Sequence, residues 1–286
     1  MIAVHIALLI ASRHPGDVGI GTDQPATWAE AQQITFDQAF IEFLDVSRDG
    51  RTLGSSDRSG NQDIWVMPLD GSSQMRQLTF NLEPDWDPDL SPDGRTVAFY
   101  SFRTGDREIW TAPAAGGSAT QLTRSAGLDA TPEWSPDGGS LVFRSERNGN
   151  SDIWIISAGG DGERAVTLEP GYDISPSWSP NGRVVAFTTW TPQGRQIRRV
   201  QAEGQNSELL SNGPAGTSQW SPDGNRIYFM GADERTGNIW ALSLRDRREF
   251  PRQHGISAAR HRSKVPLFPL ARRCRRRMGH GCRRRQ

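Results

Sequence analysis

Two sets of acidic residues, each repeating every 44 residues, are the side chains of this sequence best suited to binding chemistry. The first set lies six positions before a serine and consists of Asp85, Asp129 and Asp173. The second set lies two positions before a serine and consists of Asp45, Asp89 and Glu133. If the repeated units form a ring, the first set converges at one mouth of its channel, where carboxylates attract a cationic segment or a divalent cation. The alternative is that these carboxylates cap turns, a common role of aspartate beside proline and glycine.

The sequence contains no set of residues suited to catalysis. Histidine, the usual general base, occurs only outside the complete repeats, at His5, His14, His254, His261 and His280. A Ser-His-Asp arrangement therefore has no histidine in the repeated part of the chain. The sequence also contains no Gly-x-Ser-x-Gly elbow, no phosphate-binding glycine loop and no His-Glu-x-x-His motif. We predict that the chain is not an enzyme and has no catalytic residue and no dedicated metal ligand.

The carboxylates take their register from a Ser-Pro-Asp-Gly turn that follows an apolar residue. Copies of the motif begin at Leu90, Trp134, Trp178 and Trp220, with a decayed copy at Val46. A second marker, an apolar residue followed by Thr or Ser, recurs every 44 residues from Ile34 to Leu210. Between the markers each unit has the pattern of four short strands separated by glycine-containing turns. A period of about 40 to 45 residues with four strands per unit is typical of β-propeller blades.

The sequence therefore predicts an all-β fold, a β-propeller of four-stranded antiparallel blades. The repeat is complete over about 36–211, an incomplete unit precedes it at 8–35, and another begins near Thr217. Six units in all favour a six-bladed propeller whose first and last blades are incomplete. We predict a propeller domain over 1–249, followed at 250–286 by an arginine-rich tail that is disordered or results from a frameshift.

One unit departs from the pattern in a way that draws attention to a tryptophan. In the fourth complete unit, the residues Gln196, Ile197 and Arg198 replace the acidic residue, Ile and Trp of the other units. The preceding turn is longer and carries Trp190 out of register. We predict that Trp190 is a contact residue, since the other repeated tryptophans have the positions of core residues.

Five motifs of the unit, taken in order, resemble the β-propeller repeats of the TolB family, which are related to WD-type repeats. They are Ser-Pro-Asp-Gly, apolar-x-Phe, Arg-x-Gly-Asn, acidic-Ile-Trp and Leu-Thr. The match is good over about 36–249 and weaker over 8–35. The resemblance implies a six-bladed bacterial propeller that binds a protein or peptide segment without catalysis; the family's namesake is periplasmic and has outer-membrane lipoprotein partners. Similar propellers are attached to prolyl oligopeptidase-like hydrolases, protein kinases and transcriptional regulators. The alternative is therefore an accessory propeller of such a larger protein, truncated here.

Charge is distributed unevenly along the chain. Residues 250–286 contain eleven Arg, one Lys and no acidic residue, so 1–249 holds 21 basic and 33 acidic residues. An acidic body does not neutralise phosphates, and we expect no nucleic acid partner for it. No segment approaches the about 18 consecutive apolar residues of a membrane span. We expect a monomer with a protein or peptide partner, and no cofactor apart from the divalent cation considered above.

The cellular compartment stays open in the sequence. The resemblance implies the periplasm, but the apolar run 1–11 lacks the basic start of a signal peptide and also fits the strand register. Without such a signal the chain would be cytoplasmic. Both cysteines, Cys274 and Cys282, lie in the tail and therefore give no indication of the redox compartment of the body.

Overall fold

The computed structural model describes residues 39, 41–46, 51–68, 75–204, 206–212, 215–231 and 239–245. The regular elements in these residues are β-strands, and none of the described residues forms a helix long and apolar enough to cross a membrane. The strands are β1 (Ile41–Val46), β2 (Arg51–Ser56), β3 (Asp63–Pro68), β4 (Arg76–Gln77), β5 (Asp85–Leu90), β6 (Thr96–Ser101), β7 (Glu108–Pro113), β8 (Thr120–Gln121), β9 (Asp129–Trp134), β10 (Ser140–Ser145), β11 (Asp152–Ser157), β12 (Arg164–Ala165), β13 (Tyr172–Trp178), β14 (Val184–Thr191), β15 (Gly194–Gln201), β16 (Glu208–Asn212), β17 (Ala215–Trp220), β18 (Arg226–Gly231) and β19 (Ile239–Ser243).

The strands form five antiparallel sheets, and each sheet corresponds to one sequence repeat. Four sheets contain four consecutive strands each, β1–β4, β5–β8, β9–β12 and β13–β16, and the fifth contains β17–β19. The predicted all-β propeller of four-stranded blades is confirmed, with five blades in the described residues where the sequence favours six. The incomplete unit at 8–35, the domain end at 249 and the tail at 250–286 lie outside the described residues.

The core lies between neighbouring blades. The second strands of the second, third and fourth blades bring a phenylalanine into it, and Phe99, Phe143 and Phe187 are at most 1% exposed. One cluster joins Val142 and Ile153 of the third blade to apolar residues of the fourth, among them Phe187. The second strands are therefore covered on both faces, as their consecutive apolar residues predict.

A recurring threonine joins the outer edge of each of the first three blades to its third strand. Thr123 Oγ1 accepts a hydrogen bond of 2.9 Å from the backbone N–H of Ile109 and donates one of 2.5 Å to Oε2 of Glu108. The same 2.9 Å bond occurs in two other blades, between Ile64 and Thr79 and between Ile153 and Thr167. The Ile-Trp and Leu-Thr markers are thus hydrogen-bonded partners, which explains why they keep one register.

The Ser-Pro-Asp-Gly turn is a closed hydrogen-bonded unit. Ser135 Oγ donates to Oδ1 of Asp137 (2.6 Å), and the same oxygen accepts from the backbone N–H of Gly139 (2.9 Å). These bonds hold the pKa of Asp137 below its usual value. Gly138 has a φ of 71°, and a Cβ on it would lie 3.6 Å from Cδ of Pro92 in the preceding blade. The motif therefore shapes its own turn and also packs consecutive blades together.

A β-bulge interrupts the innermost strand of each blade. In the second blade the pairing of β5 with β6 shifts between Trp86 and Asp89. In the second, third and fourth blades the bulge contains a residue with left-handed backbone, and these residues are Asp87 (φ 54°), Thr131 (φ 53°) and Ser175 (φ 50°). Positive φ is uncommon for residues other than glycine. The bulge re-aims the side chains that follow it, including Asp89 two positions later.

Candidate functional site

Antiparallel order brings two kinds of loop to one face of the blades, which we call the upper face. They are the loops that lead into innermost strands and the turns that join second to third strands, such as 78–84, 102–107, 122–128 and 146–151. The Ser-Pro-Asp-Gly turns join innermost to second strands and lie on the opposite side, which we call the lower face. The channel mouth expected from the sequence is therefore an upper-face feature.

The first acidic set lies at the upper ends of the innermost strands, but its side chains point into the blades. Asp85 begins β5, Asp129 begins β9, and Asp173 is the second residue of β13. None of the three is more than 3% exposed. We expected loop residues that face a channel, and the structure corrects this placement. The physical reason is that each carboxylate finds buried partners in its own blade or in the chain that leads from the preceding blade.

Arginines of the upper-face turns neutralise two of these carboxylates. Arg103 Nη2 donates hydrogen bonds of 2.8 Å to both carboxylate oxygens of Asp85. Arg147 Nη2 donates one of 2.8 Å to Oδ2 of Asp129. Asp173 has threonine hydroxyls as partners instead, and burial raises the pKa of Asp129 and of Asp173. The set holds each blade together, while a binding role for it stays a prediction.

The second acidic set joins each blade to the next. Each carboxylate accepts a hydrogen bond from the backbone N–H that lies 45 residues later, in the innermost strand of the following blade. These bonds join Asp45 to Leu90 (3.0 Å), Asp89 to Trp134 (2.6 Å) and Glu133 to Trp178 (2.8 Å). In the fourth blade the position is Ser177, whose Oγ lies 3.4 Å from the backbone N of Trp220. The set thereby satisfies innermost-strand donors that would otherwise be unpaired.

Electrostatically, the second set and the bulge residue Asp87 form one cluster. Burial raises the pKa of Glu133 to about 8 and that of Asp87 to about 7, and it raises the pKa of Asp89 well above its usual value. The negative charge of Asp45 raises the pKa of all three further. At neutral pH the cluster therefore retains protons, which weakens the negative potential predicted for the channel.

Trp190 lies in a strand and not in a turn, which corrects its predicted position. The strand β14 has eight residues where β6 and β10 have six, and its extension places Trp190 opposite Tyr172 of β13. The two ring centres lie 5.9 Å apart, and the guanidinium carbon of Arg195 lies 4.5 Å from the centre of the Trp190 ring. The tryptophan side chain remains 43% exposed, and its role as a contact residue stays a prediction.

Further arginines lie over aromatic rings on the same face, and sequence reasoning missed them. The guanidinium carbon of Arg144 lies 5.6 Å from the ring centre of Tyr172, and that of Arg107 lies 4.9 Å from Tyr100 and 5.1 Å from Phe102. We call the whole group the arginine–aromatic band; its members are Tyr100, Phe102, Arg107, Arg144, Tyr172, Trp190 and Arg195. The repeat hides the band, because the residue equivalent to Tyr100 in the next unit is Arg144.

Large apolar side chains are exposed in the loops of the upper face. Phe80 is 77% exposed, Leu82 93% and Leu168 70%. They lie between a fourth strand and the next innermost strand. Among the described residues, the lower-face loops contain no exposed large apolar side chain. Apolar residues within otherwise polar loops were the signal that could have identified this surface from the sequence.

Metal binding receives no support from the geometry. Within the described parts of the chain, no three His, Cys, Asp or Glu side chains are arranged to hold a metal ion. The acidic residues are instead occupied with Arg103, Arg147 and backbone N–H groups. The upper face instead combines exposed apolar side chains with arginines that lie over aromatic rings.

Comparisons with known proteins find the same fold. Residues 85–260 match the family model described as the TolB beta propeller domain. The structure is similar to TolB from Acinetobacter baumannii, with a TM-score of 0.65 and 18% identity, over 73% of this chain and 53% of that chain. It is also similar to a structure from Agrobacterium tumefaciens assigned to TolB, with a TM-score of 0.58 and 24% identity, over 72% of this chain and 76% of that one. At these identities the structural likeness shows the fold alone.

A shorter match is to part of a much larger protein. Tricorn protease homolog 1 of Streptomyces coelicolor is 42% identical over 65 residues, which are 23% of this chain and 6% of the relative. The chain thus spans a small part of that relative's length. The family model, in contrast, covers more than half of the chain and confirms the resemblance seen in the repeats. The chain belongs to the TolB beta propeller domain family.

Proposed function

We propose that this chain is a non-catalytic, TolB-like propeller that binds a protein or peptide segment with its upper face, at the channel mouth. The observation that carries the proposal is that, among the loops the structure describes, exposed large apolar side chains occur on one face. Phe80, Leu82 and Leu168 project from upper-face loops, and the band residues Tyr172 and Trp190 lie on the same face. Exposed apolar groups gathered on one face favour association with a partner.

The blades supply a firm base for such a surface. Hydrogen bonds that Asp89 and Glu133 accept from backbone N–H groups join successive innermost strands, and buried pairs such as Asp85 with Arg103 hold the upper ends of the blades. A preformed surface loses little conformational freedom when a partner binds. A monomeric chain and, by analogy with the family's namesake, a periplasmic location belong to this proposal.

Panning of a random peptide library, displayed on phage, on the purified full chain tests the proposal. We expect enriched peptides, and we expect Phe80→Ser combined with Leu168→Ser to weaken their binding at least tenfold, because both side chains are exposed contacts. The matched control is Arg95→Ser, whose side chain is 85% exposed on the lower face and whose loss should leave binding unchanged.

Two results of that experiment would contradict the proposal. The first is that no peptide is enriched above the level of an unrelated immobilised protein. The second is that enriched peptides lose affinity with Arg95→Ser but not with the upper-face variant. Surface substitutions of this kind typically change the free energy of unfolding by less than about 0.5 kcal/mol, so lost binding would not reflect unfolding.

A second candidate is an accessory propeller of a larger hydrolase, kinase or transcriptional regulator. It is favoured by the match to tricorn protease homolog 1, of which this chain spans only a small part. An immunoblot of the source cells with an antibody against the propeller distinguishes the two candidates. A band well above 31.7 kDa supports the accessory role, whereas a band at that mass argues against it.

A further inference from the structure

Three arginines of the arginine–aromatic band have donors that the chain does not use. Within the described residues, the side chains of Arg107 and Arg195 contact aromatic rings and form no hydrogen bond or ion pair. The Nε atoms of Arg107 and Arg144 are buried and have no acceptor. By contrast, Arg103 and Arg147 are bonded to carboxylates within their blades at 2.8 Å. The unused side-chain donors of Arg107 and Arg195 are therefore available to the acceptors of a partner.

The aromatic rings fix these arginines in a geometry suited to carboxylates. The guanidinium carbon of Arg195 lies 4.5 Å from the centre of the Trp190 ring, and that of Arg107 lies 4.9 Å from the centre of the Tyr100 ring. A ring covers one face of a guanidinium and leaves its in-plane N–H donors available. Two such donors match the two oxygens of a carboxylate, and a guanidinium already held in place loses little freedom on binding.

The acidic groups near the band leave it with an excess of positive charge. Glu146 Oε1 accepts a hydrogen bond of 2.6 Å from the hydroxyl of Tyr172 and lies 3.6 Å from Nη2 of Arg144. Asp87 interacts electrostatically with Arg107 and Arg144, and burial raises its pKa to about 7. Glu42 also acts electrostatically on Tyr100, and burial raises the pKa of Glu42. One carboxylate engaged by Tyr172 and two carboxyl groups of raised pKa thus face three guanidinium groups.

We infer that the upper face selects an acidic, extended peptide whose carboxylates bind Arg107, Arg144 and Arg195 and whose apolar side chains pack against Trp190. The inference rests on the proposed function and adds the chemistry of the partner. It reverses the charge expected from the sequence, because arginines neutralise Asp85 and Asp129 inside the blades and Asp173 is buried. A peptide fits better than a nucleic acid, because the exposed Leu82 and Leu168 of the same face pack against apolar side chains and not against phosphates.

Fluorescence anisotropy with matched probes tests the inference on the full chain. Three labelled peptides alternate phenylalanine with glutamate, glutamine or lysine, and the fourth probe is an oligothymidylate. We expect the glutamate peptide to bind at least tenfold more tightly than the glutamine peptide and the lysine peptide to bind most weakly. The double variant with Arg107→Gln and Arg195→Gln should bind the glutamate peptide at least tenfold more weakly and should bind the glutamine peptide with unchanged affinity. Arg95→Gln on the lower face is the control and should change neither.

The remaining outcomes distinguish a failure of this inference from a failure of the proposed function. Equal binding of the glutamate and glutamine peptides, with both weakened by Leu168→Ser, would refute the acidic preference and leave the binding face intact. Tighter binding of oligothymidylate than of the glutamate peptide would assign the band to nucleic acid. Failure of all peptides to bind would refute the acidic preference, while the phage library still decides the proposed function.

A second variant keeps the test decisive if the arginine variant does not fold. Asp87→Asn removes negative charge beside Arg107 and Arg144, and asparagine tolerates the left-handed backbone found at this position. We expect it to tighten binding of the glutamate peptide about threefold and to leave the glutamine peptide unchanged, since nearby charge affects only the charged probe. Weaker or unchanged binding of the glutamate peptide would contradict the inference.

Discussion

Glu133 Oε1 accepts a hydrogen bond of 2.8 Å from the backbone N–H of Trp178, so a side chain of one blade serves the innermost strand of the next. The indole N–H of Trp178 returns a bond of 3.3 Å to the backbone oxygen of Glu133. No further strand lies inside an innermost strand, and its inward N–H groups therefore need side-chain acceptors. The spacing of the second acidic set follows from this need, because each acceptor and its donor belong to consecutive repeats.

The raised pKa values of this acidic cluster predict that the chain is more stable in mild acid than in mild base. Burial raises the pKa of Glu133 to about 8 and that of Asp87 to about 7, so the folded chain holds protons that the unfolded chain has released. The stability that they contribute is complete below the usual carboxyl pKa and is lost as pH rises through these values. Urea unfolding should therefore have a higher midpoint at about pH 6 than at about pH 9.

Glu133→Gln is the matched variant for this pH effect, because its amide oxygen still accepts from Trp178 but carries no titrating proton. We expect the variant to lose less stability than the wild type between the two pH values. The exposed turn carboxylates, such as Asp223, have lowered pKa values and act in a separate, more acidic range. An unfolding midpoint that rises toward pH 9 in the wild type would contradict the assignment.

Removing the side-chain acceptor altogether should lower the free energy of unfolding more in the third blade than in the fourth. Glu133→Ala leaves the N–H of Trp178 without its 2.8 Å acceptor, and we expect a loss of about 2 kcal/mol in the free energy of unfolding. Ser177→Ala removes a 3.4 Å contact to the N–H of Trp220 and should cost about 1 kcal/mol or less. Chemical denaturation of both variants measures the difference, and equal costs would speak against carboxylate links between blades.

The buried pair of Asp85 and Arg103 predicts a large effect of single substitutions. Asp85→Ala leaves Arg103 partly buried and without its carboxylate, and we expect destabilisation of about 3 kcal/mol. The double variant Asp85→Leu with Arg103→Met should recover much of this loss, because no uncompensated charge remains. A stable Asp85→Ala variant with impaired peptide binding would instead indicate that this aspartate takes part in peptide binding.

Phe143 and Phe80 form a contrasting pair for testing which apolar residues build the core. Phe143 is fully buried, and Phe143→Ala should lower the free energy of unfolding by about 3 to 5 kcal/mol through the cavity that it leaves. Phe80 is 77% exposed, and Phe80→Ala should change it by less than about 0.5 kcal/mol. Thermal unfolding of the two variants is the measurement, and similar shifts for both would refute the assignment.

The repeat made the blades predictable from the sequence, since turn glycines and apolar strands recur at fixed spacing. Side-chain direction was less predictable. The bulge at Asp87 changes which face the following residues occupy, and strand alternation alone therefore does not reveal that Asp89 reaches the next blade. The burial of Asp85 likewise depends on the turn that brings Arg103 to it.

The candidate site was predicted only in part, because it is built from differences between repeats. Trp190 drew attention as a departure from the pattern, but its place in an extended β14 required the structure. Arg107 and Arg195 come together with aromatic rings only when neighbouring strands and turns are in place. Leu168 was overlooked because the sequence does not say which loops share a face.

Hydrogen–deuterium exchange of the full chain, with and without a peptide selected from the phage library, tests the central claim most directly. Peptide binding at the upper face predicts slower exchange in segments 80–86, 102–107 and 166–172. The Ser-Pro-Asp-Gly turns of the lower face should exchange at unchanged rates. Protection confined to 91–95 and 135–139, with none in the upper-face loops, would contradict the account.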